Sequence, residues 1–143
     1  MHADLVFVAR MLLAALLSYA IGWERETRGS PAGDRTYALI GLGAAAFTSV
    51  GVDSFPATAE KLIAGVVTGV GFLGAGMILK EGRDVIGLTT AASIWAVAAV
   101  GVVVGAGEYL MGASLAIVIL FVLEMDRLPI VSHLDAGNTI RRR

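Results

Sequence analysis

The amino-acid sequence predicts an all-α membrane protein, a bundle of five transmembrane helices. Three observations support this fold class: an apolar composition, five apolar runs of spanning length, and basic residues that alternate between the loops. Of the 143 residues, 57% are hydrophobic and 16% are charged, whereas a soluble domain is about half apolar and about a quarter charged. The net charge of -1 gives no indication of nucleic-acid binding, and the absence of cysteine excludes disulfides and thiol nucleophiles.

Five apolar segments account for most of the chain, and each approaches the roughly 20 residues that a spanning helix needs. They are residues 5–23, 36–52, 62–79, 85–107 and 109–123. The first segment lacks the basic N-terminal residues of a cleaved signal peptide, so we expect it to be retained. We therefore predict a five-span domain over residues 1–126 and a short basic cytoplasmic tail over 127–143.

Basic residues concentrate on one side of the predicted bundle, and the positive-inside rule assigns that side to the cytoplasm. The opposite side holds only Lys61. The basic residues on the predicted cytoplasmic side are Arg25, Arg28, Arg35, Lys80, Arg83, Arg127, Arg141, Arg142 and Arg143. This alternation fits five spans, so we expect the N-terminus outside and the C-terminus in the cytoplasm.

Glycines concentrate in the third predicted span, in the stretch GVGFLGAG at 69–76. Its first six residues match G-x-G-x-x-G, but a dinucleotide site needs a preceding strand and an acidic residue about 20 positions later. Neither is present, so we expect no nucleotide. Small residues let helices approach closely in lipid, so we predict that these glycines pack against neighbouring helices. We therefore expect the third span to be the central helix. The alternative is a broken helix whose backbone binds an ion. The predicted packing residues are Gly65, Gly69, Gly71, Gly74, Gly76, Gly101 and Gly105.

Arg10 is the one charged residue inside a predicted span. An ionisable residue at membrane depth is a candidate for function, although a long arginine side chain can also reach the headgroups. A third interpretation is an ion pair with a carboxylate expected at the same face, namely Asp53, Glu60 or Glu108. The sequence leaves these three interpretations open.

The segment ERETRGSPAGDRT at 24–36 mixes acidic and basic residues between the first two predicted spans. The positive-inside rule accounts for the basic residues alone, so we expect an ion-pair network that fixes the loop. The predicted members are Glu24, Arg25, Glu26, Arg28, Asp34 and Arg35. The alternative is a hydrated Mg²⁺ bound by Glu24, Glu26 and Asp34, because Mg²⁺ keeps several waters and takes one or two carboxylates. No other cofactor is expected.

Polar residues open the fourth predicted span. We expect Thr89 to cap the helix, and Thr90 and Ser93 to hydrogen-bond to other helices. Trp95 lies deeper and is expected to line a helix contact or a cavity. The segment also echoes the start of the second span, because residues 33–36 and 87–90 both read Gly-x-x-Thr. The echo suggests a repeat of two-helix units with the fifth span unpaired.

Three stretches closely resemble the membrane domain of the MgtC/SapB family, and the likeness runs from about residue 5 to residue 123. They are IGWERETRGSPAGDRT (21–36), GVGFLGAGMIL (69–79) and GLTTAASIWAVAAVG (87–101). Asp34 departs from the first motif, where the family usually has an apolar residue. Many family members carry a cytoplasmic regulatory domain after the fifth span. Here only the short predicted tail at 127–143 follows that span, so we expect a short form with the transmembrane domain only.

The resemblance implies a multi-pass protein of the bacterial inner membrane, linked to magnesium homeostasis, growth in low magnesium and, in pathogens, virulence. It also implies that some members regulate other membrane machinery, the F-type ATP synthase among them. We favour a regulator or accessory that acts through helix contacts, as a homodimer or with another membrane protein complex. The alternative is an ion transporter or channel for Mg²⁺ or phosphate. No nucleophile–base pair is visible, so we expect no enzymatic activity.

Overall fold

The computed structural model describes residues 2–125 of the chain, so the predicted tail at 127–143 lies outside the described residues. Five α-helices follow one another in this part of the chain, with a 3₁₀ turn at Pro56–Thr58 before the third. The helices are α1 (His2–Thr27), α2 (Asp34–Ser54), α3 (Ala59–Gly76), α4 (Leu88–Gly105) and α5 (Tyr109–Glu124). Two short strands, β1 (Leu79–Glu81) and β2 (Asp84–Ile86), lie between α3 and α4.

Four of these helices, α1 to α4, are long and apolar enough to cross a membrane. The fifth helix is apolar but has 16 residues, which corresponds to about 24 Å at 1.5 Å per residue. A hydrocarbon core is about 30 Å thick. The helical architecture with four helices suited to crossing a membrane is therefore confirmed, while a fifth full span and the orientation of the termini stay predictions.

Glycine ends α1 and α4 in the same way. After α1, Gly29 has φ of 71°, and the N–H of Ser30 donates to the carbonyl of Arg25 at 3.0 Å. After α4, Gly107 has φ of 91°, and the N–H of Glu108 donates to the carbonyl of Val103 at 3.1 Å. A left-handed residue followed by this six-to-one hydrogen bond satisfies the last carbonyls of a helix. The chain can therefore turn sharply at these two membrane faces.

The connection between α3 and α4 is an antiparallel hairpin, and it corrects two predicted boundaries. Leu79 pairs with Ile86 and Lys80 with Val85, around a turn in which Gly82 has φ of 62°. The third span therefore ends at Gly76 rather than 79, and the fourth begins at Leu88 rather than 85. Hydropathy measures only the apolarity of a segment, so it counted these apolar strand residues as parts of helices.

The central helix of the bundle is α4, and the prediction that the third span is central was wrong. In α4, 56% of the most apolar 18-residue stretch is buried, against 17% of the corresponding stretch at α3. Contacts join α4 to each of the other four helices. Val97, Val100 and Val104 on α4 are fully buried, whereas α3 buries only Val66, Val70 and Gly74.

Close helix approach occurs between α2 and α4. A Cβ added to Gly101 would lie 2.5 Å from the carbonyl oxygen of Gly41, and one added to Gly105 would lie 2.6 Å from that of Ala45. Both glycines are therefore needed where these two backbones meet, because only a missing side chain lets them come so close.

Within the described residues, one of the five predicted packing glycines of α3 lies against another helix, and the packing role of the others stays a prediction. Gly74 faces the carbonyl of Ala91, where an added Cβ would lie 3.3 Å from the oxygen. The other four predicted positions have no neighbouring atom within 4 Å among the described residues: Gly65, Gly69, Gly71 and Gly76. The helix is continuous through them, so the broken-helix alternative is also wrong.

Candidate functional site

One cluster of polar contacts surrounds Arg10 near the N-terminal end of α1. Its Nη1 donates to Oδ2 of Asp53 at 2.9 Å and to the carbonyl of Gly105 at 3.2 Å. Its Nε donates to the Tyr109 hydroxyl at 3.4 Å. The Arg10 side chain is only 14% exposed. Of the three interpretations of Arg10, the structure agrees with the ion pair to Asp53. Its guanidinium group also joins α1 to α2, α4 and α5.

The end of α4 explains why this guanidinium fits. The last carbonyls of a helix have no partner within it and carry partial negative charge. The carbonyl of Gly105 accepts from Arg10 and also from the Ser49 hydroxyl at 2.9 Å. At Gly107 a Cβ would lie 3.3 Å from Nη2 of Arg10, so the bare backbone leaves room for the side chain. We call Arg10, Asp53, Gly105 and Tyr109 the Arg10 cluster.

A second cluster lies at the other end of α1, around Glu24, which is 8% exposed. Its Oε1 forms an ion pair with Nε of Arg28 at 2.5 Å, and its Oε2 lies 3.8 Å from Nη1 of Arg25. Arg28 in turn pairs with Oε2 of Glu124 at 3.1 Å, at the end of α5. We call these four residues the Glu24 cluster. It contains three of the six residues of the predicted network and ties the first helix to the last.

The other three predicted network residues are engaged elsewhere. Oε2 of Glu26 accepts the backbone N–H of Asp34 at 3.1 Å, so this carboxylate caps the first turn of α2. Oδ1 of Asp34 accepts the backbone N–H of Arg35 at 2.5 Å. Arg35 forms no ion pair within the described part of the chain.

These contacts do not fit the magnesium site that was the alternative for this loop. The carboxylate of Glu24 faces two guanidiniums, and those of Glu26 and Asp34 each accept a backbone N–H. Residues 2–125 contain no group of three or more His, Cys, Asp or Glu side chains that could hold a metal ion. The two arginines beside Glu24 also oppose the binding of a cation there.

A polar seam joins the starts of α2 and α4. The hydroxyls of Tyr37 and Ser93 share a hydrogen bond at 2.5 Å, and those of Ser30 and Thr90 share one at 3.1 Å. Tyr37 is fully buried. Thr90 and Ser93 therefore bond to other segments, which is the arrangement expected from their place at the start of the fourth span.

Thr89 does not cap α4, which corrects that prediction. The N-cap is Gly87, with φ of 85° and no side-chain hydrogen bond, because the chain enters α4 directly from the hairpin. Gly33 is likewise the N-cap of α2, so the Gly-x-x-Thr echo marks the start of both helices. Trp95 is 53% exposed and lines a small cavity of about 120 Å³ with Val67 of α3.

Several polar residues in these contacts were not singled out from the sequence. The clearest are Tyr37 and Ser49, together with Ser18 and Thr48, which are fully buried. The hydroxyls of Ser18 and Thr48 have no hydrogen-bond partner among the described residues. A polar side chain inside an apolar run was the available signal, because it is costly in lipid without a partner. The ion pair between Arg28 and Glu124 could not be read from local sequence, because the two residues are far apart in the chain.

The charged clusters at the two ends of the bundle and four helices long and apolar enough to cross a membrane define the class of helical membrane proteins. Comparison with known proteins gives the family: the MgtC family model matches residues 11–128, and the chain belongs to this family. This confirms the resemblance seen in the sequence motifs.

Three relatives show the extent of the similarity. "Putative magnesium transporter YhiD" of Escherichia coli K12 is 44% identical over 83% of this chain and 60% of its own length. MgtC of Salmonella typhimurium LT2 is 41% identical over 80% of the chain and 49% of its own length. SrpB of Synechococcus elongatus is 45% identical over 72% of the chain and 65% of its own length. The chain thus spans between about half and two thirds of these relatives. No solved structure matches the chain.

Proposed function

We propose that this chain is a bacterial inner-membrane protein that regulates or assists other membrane machinery through helix contacts, in a process linked to magnesium. Membership of the MgtC family supports the membrane setting, and the name of the YhiD relative supports the link to magnesium. A link to virulence in pathogens belongs to the same proposal and rests on the family resemblance alone. The proposed role includes no catalytic step.

The observation that carries this proposal is the internal pairing of the charges within the bundle. Arg10 is paired with Asp53 at one end, and Glu24 is paired with Arg28 at the other. Ionisable residues that serve an ion pathway face a water-filled cavity or the bundle interior, where they meet the ion. Here the same groups bind each other and join helices, which suits a rigid membrane scaffold better than an ion route.

The surface for helix contacts is provided by the helices with little burial, α3 and α5. In α3, a Cβ added at Gly71 would meet no other atom of the described residues within 4 Å, so a second backbone can approach there. Close approach of small residues is what associates helices in lipid, because lipid is as apolar as the helices themselves. A second copy of this chain and another membrane protein complex are the two partners that we propose.

Ion transport is the second candidate function. It is favoured by the name of YhiD and by the unpartnered hydroxyls of Ser18 and Thr48 inside the bundle. A buried hydroxyl without a partner is costly in lipid, and an ion or water would supply one. Phosphate suits this candidate through Arg10, whereas the arginines beside Glu24 oppose Mg²⁺ at that carboxylate.

The test that separates the two functions is flux of Mg²⁺ and of phosphate into proteoliposomes that contain the purified protein. Protein-free liposomes provide the background, and Arg35→Gln provides a matched charge control, because Arg35 forms no ion pair among the described residues. We expect no flux above background from protein that is helical and monodisperse. Saturable flux that is lost in Arg10→Leu or Glu24→Gln and kept in Arg35→Gln would make the protein a transporter.

The regulatory role has its own measurement. The protein is isolated at native expression in mild detergent, and co-purifying membrane proteins are identified by mass spectrometry against a strain that lacks it. We expect a membrane protein partner whose recovery falls in Gly71→Leu, which fills the open position on α3. Repeated isolation without any such partner would contradict the proposed mechanism.

A further inference from the structure

A groove of about 580 Å³ runs between α2 and α3 on the outer surface of the bundle. Glycines line both walls: Gly43 on α2, and Gly65 and Gly69 on α3. A Cβ added at any of the three would meet no other atom of the described residues within 4 Å. The rest of the lining is apolar except for Lys61, which lies at one end, near the start of α3. Among residues 2–125, the groove is therefore apolar with one cationic side chain at its end.

The dimensions of the groove favour a lipid chain over a helix. Its α3 wall extends from Lys61 to Leu73, which corresponds to about 18 Å at 1.5 Å per residue. One leaflet of a bilayer contributes about 15 Å to the hydrocarbon core. A helix is about 10 Å wide with its side chains, so it would cover the groove without filling it. An extended acyl chain is much narrower and has the matching length.

The charge at the mouth of the groove selects the headgroup. Lys61 is exposed and forms no ion pair within residues 2–125. Arg10 lies at the same end of the bundle but is already paired with Asp53. Glu60, which directly precedes Lys61 on α3, is not part of the groove lining. The side chain of Lys61 is thus the free cation beside the groove, and a lysine at a membrane interface attracts anionic phosphate groups.

We propose that the groove between α2 and α3 is a binding site for an anionic phospholipid, in the leaflet at the Arg10 end of the bundle. One acyl chain lies along Gly43, Gly65 and Gly69, and the phosphate group binds the ammonium group of Lys61. The site is separate from the open position Gly71, so a bound lipid and a helix partner can occupy α3 together.

Native mass spectrometry of the full chain in detergent tests the site, with dioleoyl phosphatidylglycerol and dioleoyl phosphatidylcholine as competing probes. We expect the wild-type protein to prefer phosphatidylglycerol about fivefold, because one basic side chain near an anionic surface contributes about 1 kcal/mol. Lys61→Gln should abolish this preference. Lys80→Gln, a matched change on the exposed β1 strand at the other end of the bundle, should leave it intact. Equal binding of the two lipids by the wild-type protein, or an equal loss in Lys80→Gln, would overturn the proposal.

A second pair of variants tests the groove itself. Gly69→Leu places a side chain in the groove and should remove both lipid adducts, with Gly65→Leu as the replacement if that protein does not fold. Gly71→Leu adds the same side chain to α3 outside the groove lining and should retain them. Circular dichroism checks that each variant is helical. A dimer that carries no lipid adduct and is lost in Gly69→Leu would show that a second copy occupies the groove, and the proposal would be wrong.

Discussion

Gly101 lies where the backbones of α2 and α4 come closest, so a single added methyl group there tests the packing of the bundle. In Gly101→Ala the new Cβ would lie 2.5 Å from the carbonyl oxygen of Gly41 and 2.7 Å from Cβ of Ala44. Ordinary contact begins near 3.4 Å, so α2 and α4 must separate by nearly 1 Å. The obstacle is a main-chain carbonyl, which cannot rotate away as a side chain can. The change therefore moves a whole helix.

The expected cost follows from comparison with Gly69→Ala. That position is also inside a helix, but an added Cβ meets nothing within 4 Å. Both variants gain the same helix propensity, about 1 kcal/mol for Gly to Ala, so the difference between them isolates the packing term. Inserting a methyl group into a well-packed contact costs about 1–3 kcal/mol. We expect Gly101→Ala to be about 2–3 kcal/mol less stable than Gly69→Ala, because the clash involves backbone.

Reversible unfolding of the purified protein by increasing SDS in mixed micelles measures this difference, with far-UV circular dichroism as the signal. The wild-type protein and both variants are unfolded over the same series of SDS concentrations, with the mild detergent held constant. Equal stability of the two variants would refute the close contact between α2 and α4. A larger loss in Gly69→Ala than in Gly101→Ala would instead restore α3 as the central helix.

The same unfolding assay checks two further predictions. Tyr37→Phe removes the hydrogen bond to Ser93 and should lower the free energy of unfolding by about 0.5–1.5 kcal/mol. Ser93→Ala should then lower it by less in the Tyr37→Phe protein than in the wild-type protein. Strictly additive losses would contradict a contribution from this hydrogen bond. Arg28→Gln leaves the buried carboxylate of Glu24 with Arg25 alone at 3.8 Å and should cost about 2–3 kcal/mol, below the 3–5 kcal/mol of a fully buried pair. Arg35→Gln should stay within about 0.5 kcal/mol of the wild type, and similar losses in the two arginine variants would count against the Glu24 cluster.

The two charged clusters share one architectural consequence. At one end Arg10 of α1 reaches Tyr109 of α5, and at the other Arg28, just after α1, pairs with Glu124 of α5. Both clusters therefore connect the first helix to the last. Hydrophobic burial does not drive helices together in lipid, so polar contacts and close packing must hold the bundle. We infer that these clusters hold the first helix against the last.

The glycines show where sequence reasoning succeeded and where it could not. Gly101 and Gly105 are four residues apart and therefore share one face of α4, and the structure has that face against α2. The same reasoning placed Gly65 and Gly69 on one face of α3, where the described chain offers no neighbour. Spacing tells which residues share a face, but it contains no information on what lies opposite. The hairpin was missed for a related reason, since apolarity does not distinguish a strand from the end of a helix.

The sequence by itself determined that this chain forms apolar helices in a membrane and belongs to the MgtC family. These are local properties, because the free energy of moving a segment into lipid depends on its own side chains, and family motifs are runs of adjacent residues. Only the tertiary structure decided which helix is central, which glycines pack, and which partner each charge has. Arg10 and Tyr109 are 99 positions apart, and such a contact exists only after every helix between them has taken its place.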